Sequence, residues 1–250
     1  MTKIILVGAN GKMGSAITRN IANGENLSIV AGVDKYKGIS RDYPVYDNIS
    51  EITESADAII DFSNPDAIED VINYAVANRI PLVIGTTGLT DSQMEKINEA
   101  SKELAIFSSF NMSLGVNLLL ELAKKATAVL GNDFDIEVIE QHHNQKIDAP
   151  SGTAYMIANA INEVKNNTMQ YKYDRHSTRA KRENNEIGIH SIRGGNIVGE
   201  HEVIFAGTDE IITLTHSARS KEVFATGAVN AAKFLKDQPA GLYSMKELIG

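Results

Sequence analysis

From Thr2 to about Phe110, short apolar runs alternate with stretches of helical period, the arrangement expected of βαβ units around a parallel sheet. Residues 3–7, 28–33, 58–62, 81–85 and 104–108 are rich in Ile, Val and Leu throughout, as strands buried on both faces are. Between them Met13, Ile17 and Ile21 recur every fourth residue, as do Ile68, Ile72 and Val76, so each set places one apolar stripe along a helix.

The pattern changes after Asn111. A helix is predicted over residues 114–130, a turn at Gly131, a strand over 134–141 and a further helix over 153–164. The polar stretch 165–186 reads as an exposed excursion with little core-forming character. Residues 187–215 are β-branched and alternating, with Gly194-Gly195 and Gly207 as turn signals, and predict antiparallel strands. A last helix is predicted over 220–235. The expected architecture is α/β: a Rossmann-like parallel-sheet domain formed by residues 1–112 and 228–250, with an α+β domain, residues 113–227, inserted before the returning helix.

Composition narrows the chemistry. The chain has 250 residues, 43% hydrophobic and 22% charged, with no run long and apolar enough to span a membrane, so a water-soluble protein is expected. The apolar run near the N-terminus is too short for an export signal, and a cytoplasmic location is expected. The absence of cysteine excludes disulfides, thiolate nucleophiles and Cys-based zinc sites, and no metal is expected. A formal charge of −8 argues against nonspecific nucleic-acid binding. It also means that an anionic substrate needs local cations.

The strongest local signal in the first half is Gly8-Ala9-Asn10-Gly11-Lys12-Met13-Gly14, which follows a strand and opens a helix. Glycines at this spacing let the backbone turn tightly, approach a pyrophosphate without a Cβ in the way, and pack the helix close to the sheet. The helix N-terminus offers amide donors to phosphate. Asp34, at the end of the second strand, is placed to accept hydrogen bonds from a ribose hydroxyl. Lys35, and Lys12 in the glycine loop, could pair with a 2′-phosphate that Asp34 would repel, so use of both NADH and NADPH is expected; as surface residues, both lysines could equally lack any role. Gly85-Thr86-Thr87-Gly88 and Ser108-Ser109-Phe110-Asn111 follow the fourth and fifth strands, on the sheet edge that faces ligands. The first could equally be a plain strand-to-helix connection, with Thr90 or Asp91 capping the next helix, and the second has the same ambiguity.

In the second half, residues 140–153 gather His142, His143 and Lys146 ahead of an apolar helix. Histidine transfers protons near neutrality and lysine does so when burial lowers its pKa. Pro150 disfavours helix at Ala149, and Ser151 is a plausible N-cap. Gly152 and Thr153 then present amides and a hydroxyl where a carboxylate is favoured. A polar loop that merely caps a helix has the same local sequence.

The run E-x-H-H-x-x-K-x-D-A-P-S-G-T over residues 140–153, with GANGKMG at 8–14, GTTG at 85–88, NMSLGVN at 111–117 and IRGGNIVGEH at 192–201, resembles the bacterial 4-hydroxy-tetrahydrodipicolinate reductases, and the likeness covers nearly the whole chain. The resemblance implies a cofactor domain, a substrate domain whose open mixed sheet also builds a homotetramer, and NADH- or NADPH-dependent reduction of a small cyclic dicarboxylate imine. It makes His142 a catalytic acid or base, Lys146 a proton donor, and His143, Gly152 and Thr153 binders of substrate carboxylates. It assigns the cofactor surface to Gly8, Ala9, Asn10, Gly11, Lys12, Met13, Asp34, Lys35, Gly85, Thr86, Thr87, Ser108, Ser109, Phe110 and Asn111. Many relatives carry arginine where Lys12 and Lys35 stand, and lysine lacks the planar fork. Closure of the two domains is expected, because it would bring hydride donor and acceptor together and exclude water. A dehydrogenase for another substrate, such as aspartate, shares the glycine loop but should lack the 140–153 run; an NADH-sensing regulator needs no cluster of basic catalytic groups.

Overall fold

The structure is a computed structural model that describes residues 1–24, 26–177 and 179–250, and it divides into two compact units. The first comprises residues 1–114 and 221–250; the second, residues 115–220, is inserted between them. Among the described residues, no helix is long and apolar enough to cross a membrane.

The first unit is a parallel sheet with helices on both faces. Its strands are β1 (Thr2–Val7), β2 (Leu27–Val33), β3 (Val45–Tyr46), β4 (Ala58–Asp61), β5 (Leu82–Ile84), β6 (Ala105–Ser108) and β12 (Gly241–Tyr243), in the spatial order β12-β6-β5-β4-β1-β2-β3. Successive side chains alternate between faces, which divides the core in two. Ile4 and Leu6 of β1 pack with α1 (Lys12–Ala22) and α6 (Glu222–Leu235). Ile5 and Val7 pack with α2 (Ile68–Asn78) and α3 (Asp91–Ala100). The predicted stripes are the buried ones: Ile17, Ile21, Ile68 and Ile72 are each at most 5% exposed. Thr90 caps α3 in a capping box with Gln93. The chain returns to this unit at Lys221 rather than near 228, because α6 is one continuous helix whose buried face, Ala225 to Leu235, belongs to the first core. A short α7 (Met245–Ile249) follows β12.

The second unit is a mixed sheet in the order β11-β10-β7-β9-β8, formed by β7 (Asp135–His142), β8 (Gln170–Lys172), β9 (Glu186–Arg193), β10 (Gly199–Ala206) and β11 (Ile211–Ala218). Its core joins Ile136, Val138, Ile187, Ile189, Val203 and Phe205 to Leu119 and Ala123 of α4 (Leu114–Leu130) and Ile157 and Ile161 of α5 (Gly152–Val164). Two expectations are corrected here. Strand β10 runs antiparallel to β7 and β11, but β9 runs parallel to β7 and β8. The connection from β7 to β9 carries α5, and a crossover of that length returns the chain in the same direction. The stretch 165–186 is not a mere excursion: β8 forms the sheet edge, Met169 and Tyr171 pack against the core, and Arg182 donates to Asp135, Glu137 and the carbonyls of Ile136 and Glu186. Thr178, within that stretch, lies outside the described residues.

Candidate active site

In the first unit the glycine loop stands at the C-terminal end of β1, where the strand order reverses between β4 and β2. Gly8 has φ +79°, and a Cβ there would lie 2.3 Å from the Phe62 carbonyl oxygen. A Cβ on Gly14 would lie 2.2 Å from the Gly8 oxygen, which is how α1 starts so close to the strand end. Beside the loop is a cavity of about 400 Å³ lined by Gly8, Gly11, Asp34, Lys35, Phe62, Ser63 and Asn64, among others. Backbone without Cβ, an acid and a helix N-terminus around one cavity fit a dinucleotide.

The Asp34 carboxylate accepts the amides of Asn10 and Tyr36, each at 2.8 Å, and so ties the glycine loop to the end of β2. Arg41, which sequence reasoning missed, donates to the Ala9 carbonyl, Asn10 Oδ1 and Ser15 Oγ, at 2.6, 3.0 and 2.8 Å. It sits in a segment without apolar periodicity, so no pattern marks it. Lys12 and Lys35 are exposed.

The other predicted cofactor residues stand at the ends of β5 and β6, outside that cavity. Gly85 passes so close to Phe62 that a Cβ would meet the ring at 2.2 Å. Thr86 is turned inward: its hydroxyl donates to Asp61 Oδ2 at 2.7 Å and accepts the Ser63 amide at 3.0 Å. Asp61 is fully enclosed, and burial raises its pKa against the hydrogen bonds from Ser63 and Thr86. Thr87 is exposed and Phe110 is 69% exposed, whereas Asn111 is buried and accepts the Ser113 amide on Oδ1. Ser108 ends β6, and the Ser109 hydroxyl donates to the Asn111 carbonyl.

In the second unit His142 ends β7, and Glu140, two residues earlier on the same strand face, lies beneath it. His142 Nδ1 is 2.6 Å from Glu140 Oε2. Arg193, at the end of β9, donates to both Glu140 oxygens at 2.7 and 2.8 Å, and the Ser151 amide donates to Oε1 at 3.1 Å. Burial opposes the Glu140 charge, but the bonds from Arg193 and His142 outweigh it and hold the carboxyl at about 2. For His142 burial prevails over the attraction of Glu140, and the imidazole pKa falls below its ordinary value.

Against His142 lies the ring of His201 from β10, edge to face with centroids 5.3 Å apart. His201 is 4% exposed, and burial with the neighbouring His142 pushes it down to about 4. Gly199 leaves room beside them: a Cβ there would stand 3.1 Å from His142 Nε2.

Lys146 pairs with Asp148 at 2.8 Å, and this bond lowers the Asp148 pKa. His143 Nδ1 is buried with no hydrogen-bond partner among the described residues. Ser151 caps α5, its hydroxyl accepting the Ala154 amide at 3.1 Å. Gly152 opens the helix with no heavy atom within 4 Å of where a Cβ would stand, so an anionic group has access to that helix end. Thr153 follows it in the first turn. The structure thus gathers His142, His143, Lys146, Gly152 and Thr153 in one unit, and adds Glu140, Arg193 and His201, none of which has an individual role in the sequence reading.

Residues 2–112 match the family described as dihydrodipicolinate reductase, N-terminus, and residues 115–249 match dihydrodipicolinate reductase, C-terminus. A 4-hydroxy-tetrahydrodipicolinate reductase of Caldanaerobacter subterraneus is 51% identical over 249 residues, covering 100% of this chain and 98% of the relative. One of the same name from Clostridium novyi is 50% identical over 250 residues, with the same coverage. Among solved structures, a dipicolinate-bound dihydrodipicolinate reductase from Paenisporosarcina sp. TG-14 superposes with a TM-score of 0.84 at 28% identity, covering 98% of this chain and 97% of that one. With both halves matched and full-length relatives about half identical, the chain belongs to the dihydrodipicolinate reductase family.

Proposed function

We propose that the protein uses NADH or NADPH to reduce 4-hydroxy-tetrahydrodipicolinate to tetrahydrodipicolinate, in the diaminopimelate route of lysine biosynthesis. The observation that carries this reading is the fold of residues 140–153, which sets His142 against the buried Glu140 ahead of a helix that begins with open space at Gly152, in a chain about half identical to reductases of that name. In the overall reaction the substrate gains one hydride and one proton and loses one water.

When bound, the reduced nicotinamide supplies the hydride. The chain supplies the rest. Gly152 and Thr153 at the start of α5, with His143, receive the substrate carboxylates, since an anion is favoured at a helix N-terminus. Lys146 donates the proton to the imine nitrogen, leaving its pairing with Asp148 as substrate binds. The lowered pKa of His142 keeps its imidazole neutral near pH 7, which suits it to accept a proton rather than to give one.

Both cofactors are accepted in this reading. Asp34 favours a free ribose diol, while Lys12 and Lys35 offer charge to a 2′-phosphate. Arg41 has the planar fork that lysine lacks, but its donors are already engaged by the glycine loop. The protein is further read as a cytoplasmic homotetramer. In support, α4 and α5 both cover the same face of the second sheet, which leaves the face bearing Ile139 and Ile204 open to other subunits.

The test is the loss of dihydronicotinamide absorbance, with NADH and NADPH separately, on addition of freshly generated 4-hydroxy-tetrahydrodipicolinate. Substrate-dependent oxidation is expected with both. No oxidation with either, by protein shown to bind the cofactor, overturns the reading.

A further inference from the structure

Glu140 is fully enclosed and lies in the middle of the second unit's sheet, an unfavourable place for a carboxylate unless donors surround it. Donors do surround it: two from Arg193, the Ser151 amide, His142 Nδ1 and the Ser191 side chain. Apolar side chains fill the same face of the sheet, with Val138 on β7 itself and Val203 on the neighbouring β10 both 0% exposed. A purely structural core has no need of this charge.

We propose that Glu140 is a positioning residue for the reduction: its carboxylate, anchored by Arg193 and the Ser151 amide, fixes His142 in the tautomer with hydrogen on Nδ1 and leaves Nε2 as the proton-exchanging atom. An ionised carboxylate can only accept hydrogen bonds, so the 2.6 Å contact requires the hydrogen on Nδ1. Arginine does not lose its proton, and its two parallel bonds keep Glu140 ionised and its plane fixed. The strand geometry makes the arrangement rigid. Glu140 and His142 project from the same face of β7, and the parallel register sets Arg193 of β9 opposite His142. At the other side of the ring, Gly199 keeps the space at Nε2 open.

The proposal rests on the reductase reading for the identity of the reaction, but not for the state of the imidazole. The charged and titratable groups facing His142 are Glu140 from β7, Arg193 from β9, His201 from β10 and Lys146 from the loop after β7; His201 in turn pairs with His216 of β11. Of these, Glu140 favours the protonated imidazole, whereas Arg193 and Lys146 disfavour it.

Glu140→Gln tests this, because glutamine keeps the volume but offers one oxygen where several donors converge, and its amide can donate to Nδ1. NMR of protein labelled at the histidine ring nitrogens reads the tautomer, and steady-state kinetics over a pH series reads the consequence. In the wild type His142 is expected as the Nδ1–H tautomer. In Glu140→Gln it is expected as Nε2–H, with kcat reduced about tenfold or more, KM for substrate within about threefold, and the kinetic limb belonging to His142 moved to lower pH. Arg193→Lys, which keeps the charge without the fork, is expected to lose less. An Nε2–H tautomer in the wild type overturns the proposal, as does a Glu140→Gln variant with wild-type tautomer and kcat. If the glutamine variant does not fold, the wild-type tautomer decides alone. Wild-type protein that binds cofactor but reduces nothing removes the reductase reading, and the spectra still decide the role of Glu140.

Discussion

The Ser151 hydroxyl accepts the Ala154 amide at 3.1 Å and stands 3.0 Å from Nε2 of the buried His201, so one oxygen both caps α5 and satisfies an imidazole nitrogen of β10. Removing it takes away a helix cap, about 1 kcal/mol, and leaves a buried polar atom unpaired, about 1–3 kcal/mol. Ser151→Ala is therefore expected to lower stability by about 2–4 kcal/mol. The check is a lower urea midpoint with an unchanged denaturant slope.

His201 also predicts how stability depends on pH. Its pKa is about 4 folded against an ordinary 6.5, so between these values the unfolded chain binds the proton more readily. Stability is full above pH 6.5 and falls as pH drops toward about 4, by on the order of 3 kcal/mol at ~1.4 kcal/mol per pH unit. Glu140, at about 2 folded against 4.5, extends the loss below pH 4.5. Urea unfolding of wild type and His201→Asn across this range should show a shallower slope in the variant between pH 6.5 and 4; equal slopes refute the assignment.

The parts of this molecule that the sequence shows are those whose physics is periodic. Strands β1, β2, β4, β5 and β6 are runs of apolar residues buried on both faces, and α4 spans 114–130 as its apolar stripe requires. Strands β3, β8 and β12 have two or three residues each and lack the unbroken Leu-Val-Ile run that marks the equally short β5. The direction of β9 follows from the crossover before it, not from its own residues. At the site, histidines, a lysine and a Pro-Ser-Gly-Thr turn are conspicuous, but Arg193 and His201 meet His142 only through sheet pairing across more than fifty residues of chain. The predicted strand, 134–141, stops one residue short of His142; with the observed end at His142, a charged residue two positions earlier must share its face, which marks Glu140.

Lys146→Ala is expected to reduce kcat about a hundredfold or more, in keeping with the loss of a general acid, and to leave NADH binding unchanged because Lys146 belongs to the second unit. Normal turnover in the variant would remove Lys146 as proton donor. Asp148→Asn, which releases the ammonium, should retain most of the activity.

Gly14→Ala is expected to weaken NADH and NADPH binding by more than tenfold, because the new methyl would stand 2.2 Å from the Gly8 oxygen and 2.6 Å from the Ala9 oxygen, and the loop must shift to admit it. Fluorescence titration with each cofactor checks this. Gly131→Ala is a control in kind: its φ of +66° brings strain, but nothing lies within 4 Å of the new carbon, so cofactor binding should be unchanged.

The place of α6 in the chain sets an order of events during synthesis. Residues 222–235 supply Ala225, Ala228, Ala232 and Leu235 to the core formed with Ile4, Leu6, Ile60, Val83 and Phe107, yet they are translated only after residues 115–220. At ~5–20 residues per second, the ribosome spends roughly 5–20 s making that insertion, and throughout this time part of the first sheet's apolar face lacks its cover. The inserted unit draws its own core from one continuous stretch and is free to complete itself as it emerges. The nucleotide half, begun first, is the half that finishes folding last, and the nascent chain is most in need of protection from aggregation in that interval.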